Sequence, residues 1–161
     1  MISSAQPVEI LLVEDNPDDI ELTLHAFKKS KITNRIEVLE NGADALDFLF
    51  RTGAYSERED DLPKVMLLDL KLPKVSGLEV LKKIKGDARL RKIPIVVLTS
   101  SREDADVEKC YALGVNSYIV KPVDFVQFGD AVRQLGLYWL LLNQPPKDGA
   151  CSDAPQSTPA V

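Results

Sequence analysis

Four short apolar runs, Ile10-Leu11-Leu12-Val13, Val65-Met66-Leu67-Leu68, Ile95-Val96-Val97-Leu98 and the weaker Tyr118-Ile119-Val120, constrain this chain more than any other feature. A strand with one wet face alternates apolar and polar residues, whereas an unbroken run of branched residues needs cover on both faces. A fifth segment, Arg35-Ile36-Glu37-Val38-Leu39, alternates more and fits a strand nearer an edge. Between the runs the apolar spacing turns helical. Ile20, Leu24 and Phe27 follow the cap-and-first-turn pair Asn16-Pro17, and Leu46, Leu49 and Phe50 follow Asn41-Gly42. Leu78, Leu81 and Ile84 make a third face. Val107, Cys110 and Tyr111 make a fourth, with Ser101 as cap and Gly114 as stop. Phe125, Phe128, Val132 and Leu135 make a fifth behind Asp124. Strand and helix alternate five times, which predicts an α/β domain: a doubly wound parallel sheet with helices on both faces.

Composition excludes several alternatives. With 161 residues, one domain is expected, and 45% hydrophobic with 28% charged residues is ordinary for a globular chain. The net charge of −5 argues against a nucleic-acid or anionic-membrane surface. Two cysteines, Cys110 and Cys151, make no disulfide framework, no apolar stretch is long enough to span a bilayer, and no signal peptide is evident, so a cytoplasmic protein is expected. The expected division is an N-terminal extension over 1–7, the domain over 8–143 and a flexible tail over 144–161. The tail holds Pro145, Pro146, Pro155 and Pro159 and is too short for an output domain. Arg51 to Pro63 reads as a charged, exposed loop.

In an open parallel sheet, ligands bind beyond the carboxyl ends of the strands. The residues there are Glu14 and Asp15 after the first run, Asp69 after the third strand, Thr99 after the fourth, and Lys121-Pro122 after the fifth. Three carboxylates brought together repel and need a cation or a shared proton. Oxygen-only ligands favour a hard ion, so Mg²⁺ is the natural candidate. Lys121 adds fixed positive charge and Thr99 a hydroxyl, which together suit a tetrahedral dianion. A central Asp69 could then attack phosphorus and form an acyl phosphate.

Leu12-Val13-Glu14-Asp15-Asn16-Pro17, Leu68-Asp69-Leu70-Lys71-Leu72-Pro73 with Gly77, Leu98-Thr99-Ser100 and Tyr118-Ile119-Val120-Lys121-Pro122 together resemble a response-regulator receiver domain, over about Val8 to Leu142. The resemblance implies a flavodoxin-like sheet of order 2-1-3-4-5 and phosphorylation of Asp69 by a histidine kinase or a phosphotransfer protein. It implies that Asp15 ligates Mg²⁺ directly and Glu14 partly through water, with Asp69 and the Lys71 carbonyl completing the set. Lys121 and Thr99 would contact the phosphoryl group, Thr99 and Tyr118 would act as the switch pair, and Pro122 is a cis-proline candidate. A narrower resemblance, carried by Val13 to Pro17, the loop before the third strand, Leu72-Pro73-Lys74 and Lys121 to Phe125, is to the small regulators paired with phytochromes. It implies a red-light sensor kinase upstream. Lys71 and Ser101 stand where family members tune dephosphorylation; neither is an acid or amide suited to orienting water, so slow self-dephosphorylation is expected.

Other readings set limits. A Mg²⁺-dependent phosphohydrolase resembling the haloacid-dehalogenase phosphatases wants an acid where Lys71 stands, and an intermediate carrier in a relay would use the same site as an endpoint switch. A flavin or nucleotide binder of the same fold class would find Glu14 and Asp15 repelling its phosphates. His25 reads as a solvated helix residue and Cys110 as packing. The last helix, expected over Asp124 to Leu142, would overhang the sheet and end in Leu137-Tyr138-Trp139-Leu140-Leu141-Leu142. Such a patch predicts a homodimer through Tyr138, Trp139 and Leu142, with an unidentified downstream protein as the output.

Overall fold

A computed structural model of the chain describes residues 8–29, 34–59, 62–100 and 104–121, together with 126 and 130. Five strands, β1 (Ile10–Val13), β2 (Ile36–Leu39), β3 (Val65–Leu68), β4 (Ile95–Thr99) and β5 (Ser117–Val120), alternate with α1 (Pro17–Lys29), α2 (Gly42–Phe50), α3 (Gly77–Lys85) and α4 (Asp104–Ala112). The strands form one parallel sheet, as the alternation of strand and helix predicts, in the order β2-β1-β3-β4-β5 that the receiver resemblance implies. The alternating β2 lies at one edge, where Ile36, Glu37 and Val38 are only partly covered and Leu39 alone is buried.

The period of two along each strand divides the core into two layers. Leu11, Val13, Met66, Leu68, Ile95 and Val97 point to one face, where Ala45, Phe48 and Leu49 of α2, Val80, Leu81 and Ile84 of α3 and Cys110 of α4 cover them. Ile10, Leu12, Val65, Leu67, Val96, Leu98 and Ile119 point to the other, against Phe27 with Ile20 and Leu24 of α1. Both faces are therefore buried, as unbroken apolar strands require.

The starts of α1, α2 and α3 are set by side-chain caps. Asn16 Oδ1 accepts from the amides of Asp18 (2.9 Å) and Asp19 (3.2 Å), with Pro17 in the first turn. Asn41 accepts from the Asp44 amide at 2.8 Å, and Ser76 from that of Glu79 at 3.2 Å. Gly114 follows α4 at φ 96°, the left-handed conformation in which glycine carries no Cβ penalty.

Two sequence expectations need correction. Phe50 is not on the covered face of α2: it is 38% exposed, and Phe48 takes the buried position with Ala45 and Leu49. Tyr111 of α4 is likewise 49% exposed beside the buried Cys110. In both cases a face drawn through adjacent residues turned too far round the helix, where 3.6 residues make a turn. The segment after α2 is largely exposed, as expected, but it is ordered and tied to the core. Arg51 ends the helix at φ 58°, Gly53–Tyr55 make a 3₁₀ turn, and Tyr55 packs edge-on to Phe48 with ring centroids 5.3 Å apart. Arg58 ties the segment down, its Nε donating to the Phe48 carbonyl at 2.9 Å and its guanidinium lying 4.0 Å from the centre of the Phe48 ring.

Of the expected fifth helix, only Val126 and Asp130 are described; both are helical and exposed. Ser101, Pro122, Asp124, Tyr138, Trp139, Leu142, Cys151, the 1–7 extension and the 144–161 tail lie outside the described residues.

Candidate functional site

Register puts the carboxylates side by side. Val13 of β1 pairs with Leu68 of β3, so Glu14 and Asp15 leave the sheet next to Asp69. The pairing continues one step further through the Asp69 amide, which donates to the Val13 carbonyl at 3.0 Å, while the Glu14 amide donates to Leu39 of β2 at 2.9 Å. Glu14, Asp15 and Asp69 each offer a carboxylate oxygen, and these lie within 4.8 Å of one another. Glu14 is 1% exposed and Asp69 4%, whereas Asp15 is open to solvent.

Lys121, one residue beyond β5, closes the site. Its Nζ lies 2.7 Å from Glu14 Oε1, 3.1 Å from Asp69 Oδ2 and 2.8 Å from Asp19 Oδ2. Backbone amides share the load: Asn16 N–H donates to Glu14 Oε2 and Lys71 N–H to Asp69 Oδ1, each at 3.2 Å. Burial raises the Glu14 carboxyl and Asp69 adds to this, outweighing Lys121, so that Glu14 is pushed up to about 7. Burial alone would lower Lys121, but its bonds to Asp19 and Glu14, with the charge of Asp69, hold it above the usual lysine value. Two buried acids crowding one ammonium form a site short of positive charge. The donor set is all oxygen, and Asp15 gives it an open side for waters, so the residues present fit a hard divalent cation.

The loop carrying Asp69 is clamped by two glycines. A Cβ on Gly77 would lie 2.5 Å from Leu70 Cα and 3.0 Å from the Asp69 carbonyl carbon; one on Gly42 would lie 2.8 Å from the Val75 carbonyl carbon. The Gly77 amide donates to the Leu70 carbonyl at 2.9 Å and that of Gly42 to the Pro73 carbonyl at 3.3 Å. Within this loop Lys74 adopts φ 70°.

Glu14, Asp15, Asp69 and Lys121 therefore meet where the sequence reading places them. Lys71 presents its amide to Asp69, with an exposed side chain. Thr99 ends β4 with its Cα in register with Val120, and its hydroxyl lies outside the description. Tyr118 is half-buried against the α2–α4 side of the core. His25 is exposed and Cys110 buried, as expected. Two contributors escaped the sequence reading. Asp19 looks there like any acid favouring a helix's positive end, and Gly42 like a simple turn residue.

Comparison with known proteins agrees with this geometry. A family profile described as "Response regulator receiver domain" matches residues 10–133. The "Probable methanogenesis regulatory protein FilR2" of Methanothrix harundinacea (strain 6Ac) is 43% identical over 146 residues, covering 91% of this chain and 92% of its own. The solved structure titled "Bacteriophytochrome response regulator RtBRR" is 54% identical with a TM-score of 0.78, covering 88% of this chain and 86% of that one. "Response regulator Rcp1" of Synechocystis sp. (strain ATCC 27184 / PCC 6803 / Kazusa) is 39% identical over 137 residues, covering 85% of this chain and 92% of its own. Its Mn²⁺-bound form superposes with a TM-score of 0.69 over 83% of this chain and 95% of that one. The alternating strands and helices, the carboxylate cluster under Lys121 and these matches place the chain in the response regulator receiver-domain family.

Proposed function

We propose that Asp69 accepts a phosphoryl group from a phosphohistidine donor and that the chain signals through the surface this alters. The observation that carries the reading is the single ammonium of Lys121 bridging Glu14 and Asp69 at the strand ends, with Asp15 open beside them. Receiver domains bind a divalent metal and are phosphorylated by histidine kinases or phosphotransfer proteins; Mg²⁺ is the ion we assign here.

Glu14, Asp15, Asp69 and the Lys71 carbonyl would hold the ion, whose contribution when bound is to neutralise the oxygens of the transferring phosphoryl group. The chain's own residues do the rest. An Asp69 oxygen attacks phosphorus, the P–N bond to the donor imidazole breaks, and the imidazole, still protonated on its other nitrogen, leaves neutral. Lys121, already 3.1 Å from Asp69, pairs with a phosphoryl oxygen. The Lys71 amide keeps the Asp69 carboxylate oriented. Thr99 and Tyr118 carry the change toward β5, biasing a two-state equilibrium. Lys71 and Ser101 give water no acid or amide to orient it, so the phosphoryl group is long-lived. The protein is a switch rather than a turnover enzyme, as receiver domains generally are.

Incubation with acetyl phosphate and Mg²⁺, read by intact mass, tests this. One phosphoryl adduct per chain, lost in Asp69→Ala and with chelator, is expected; steady turnover of a phosphomonoester would instead favour a phosphohydrolase. For the input, the 54% identity to a bacteriophytochrome response regulator over 88% of the chain supports a phytochrome kinase. Transfer to Asp69 from an autophosphorylated bacteriophytochrome checks it against the relay-intermediate reading, in which the group would pass on to a phosphotransfer histidine.

We assign the domain to 8–143, between the 1–7 extension and the 144–161 tail, in a cytoplasmic protein; among the described residues no helix is long and apolar enough to cross a membrane. The apolar Leu137 to Leu142 stretch supports a homodimer through Tyr138, Trp139 and Leu142. An unchanged sedimenting mass in the Trp139→Ala, Leu142→Asp variant would count against it.

A further inference from the structure

Lys121 has one more partner than phosphoryl acceptance needs. Its three N–H donors meet three carboxylates: Glu14 and Asp69, which belong to the cation cluster, and Asp19, which does not. Asp19 sits in the first turn of α1 with its backbone already committed, its amide donating to Asn16 Oδ1 at 3.2 Å and its carbonyl accepting from the Thr23 hydroxyl at 2.8 Å. Its side chain, 26% exposed, reaches the 12%-exposed Lys121 at 2.8 Å. A helix-dipole role alone would leave that carboxylate in water, as the neighbouring Asp18 is left.

The contact has opposite consequences for the two ligands of the site. A divalent cation entering among Glu14, Asp15 and Asp69 must contend with an ammonium bonded to two of those groups, and like charges a few ångströms apart repel. Asp19 offers that ammonium an anchor outside the cluster. A phosphoryl group on Asp69 meets the reverse situation, because Asp19 competes for the ammonium the dianion needs and adds negative charge nearby.

We propose that Asp19 is a positioning residue for Lys121, a counter-carboxylate that draws the ammonium off Glu14 and Asp69 and so favours cation entry while opposing the phosphoryl group. The proposal rests on the reading of Glu14, Asp15 and Asp69 as the cation site and of Asp69 as the acceptor.

The test compares the full chain with Asp19→Asn and Asp18→Asn. Mg²⁺ affinity is measured by titration calorimetry, and affinity for beryllofluoride, a stable mimic of the phosphoryl group, by amide chemical shifts at saturating Mg²⁺. Asp19→Asn is expected to weaken Mg²⁺ binding about three- to fivefold and to tighten beryllofluoride by a similar factor, the range set by one partly exposed ion pair. Asp18→Asn removes the same charge from the same turn and is expected to change neither by more than about twofold, the scale of a screened surface charge. Local damage would weaken both ligands together, and that result overturns the proposal. So do an Asp19→Asn variant that changes neither affinity and an Asp18→Asn variant that reproduces both shifts. An unmutated chain that binds neither ligand overturns the reading of the site itself, a failure visible before any variant is made.

Discussion

Gly77 is the residue whose replacement most directly tests how the acceptor is held. In Gly77→Ala the new methyl would lie 2.5 Å from Leu70 Cα and 3.0 Å from the Asp69 carbonyl carbon. Comfortable carbon–carbon contact is about 3.5–4.0 Å, and no side chain can rotate aside, because the obstructing atoms are backbone. Either α3 or the Asp69-Leu70 segment must shift by about 1 Å to restore that contact, stretching the Gly77–Leu70 hydrogen bond. Overpacking costs about 1–3 kcal/mol and a weakened hydrogen bond about 1 kcal/mol. Alanine's smaller unfolded-state entropy returns about 0.4–1 kcal/mol. The net expectation is a loss of about 2 kcal/mol, read by circular dichroism as a fall in Tm of about 5–10 °C for a domain of this size. Gly42→Ala strikes the same loop at Val75, six residues on from Asp69, and should be comparably unstable. The two differ in labelling by acetyl phosphate at a temperature where both are folded. Gly77→Ala should slow by about tenfold or more, since a displacement of about 1 Å can cost as much as about a hundredfold, and Gly42→Ala much less. A Gly77→Ala protein as stable and as fast as the unmutated chain would refute the clamp, and equal slowing in both variants would refute its specificity for Asp69.

Two further predictions concern parts remote from the site. Burial would raise the Glu9 carboxyl, but its bonds to Lys64 at 2.8 Å and Asn34 at 2.7 Å hold it below the usual 4.5, so its stabilisation is present above that pH and is lost as pH falls through the lower folded value. Glu9→Gln should cost about 0.5–1 kcal/mol near neutrality, as a partly exposed pair, with the gap to the unmutated chain closing in acid; a gap constant with pH in urea melts would assign the loss to packing. Arg58→Ala removes the bond to the Phe48 carbonyl and the contact with its ring, a loss of about 1–2 kcal/mol. Limited proteolysis should then cut sooner between Arg51 and Pro63 while labelling of Asp69 is unchanged, and an unaltered cleavage rate would show that the loop is held by other contacts.

Much of the site could be read from the sequence because strand ends are easy to locate. A run such as Val65 to Leu68 cannot lie at a surface, so the residue after it, Asp69, has to emerge at an edge, and parallel strands bring their carboxyl ends to the same edge. The helical faces were harder. Phe48 and Phe50 are both apolar, and only the packing of α2 on β2 and α3 decides which turns inward. Arg58 could not be assigned from sequence, since a charged residue in a polar loop looks alike whether it faces water or an aromatic ring. Asp19 was hidden for a related reason. Its value at the start of α1 and its value as a partner of Lys121 call for the same residue type, and only the distance of 2.8 Å separates them.

The residue types at the site follow from strand order. In β2-β1-β3-β4-β5 the first and third strands are neighbours, so Glu14, Asp15 and Asp69 need only short or medium side chains to converge. The fifth strand lies two positions from the third, about 9–10 Å at the usual interstrand spacing. A group at its end must carry its charge across β4 to reach Asp69, and a short side chain would stop over Thr99. Lysine spans that gap with a flexible apolar stem and ends in a compact ammonium able to meet several oxygens at once. Its length is also what brings it within range of Asp19, because a chain reaching past β4 toward β1 comes under the first turn of α1. The three-way contact is thus a consequence of topology: a cation delivered from an outer strand to a carboxylate pair near the centre of the sheet meets Asp19 of the helix that starts there.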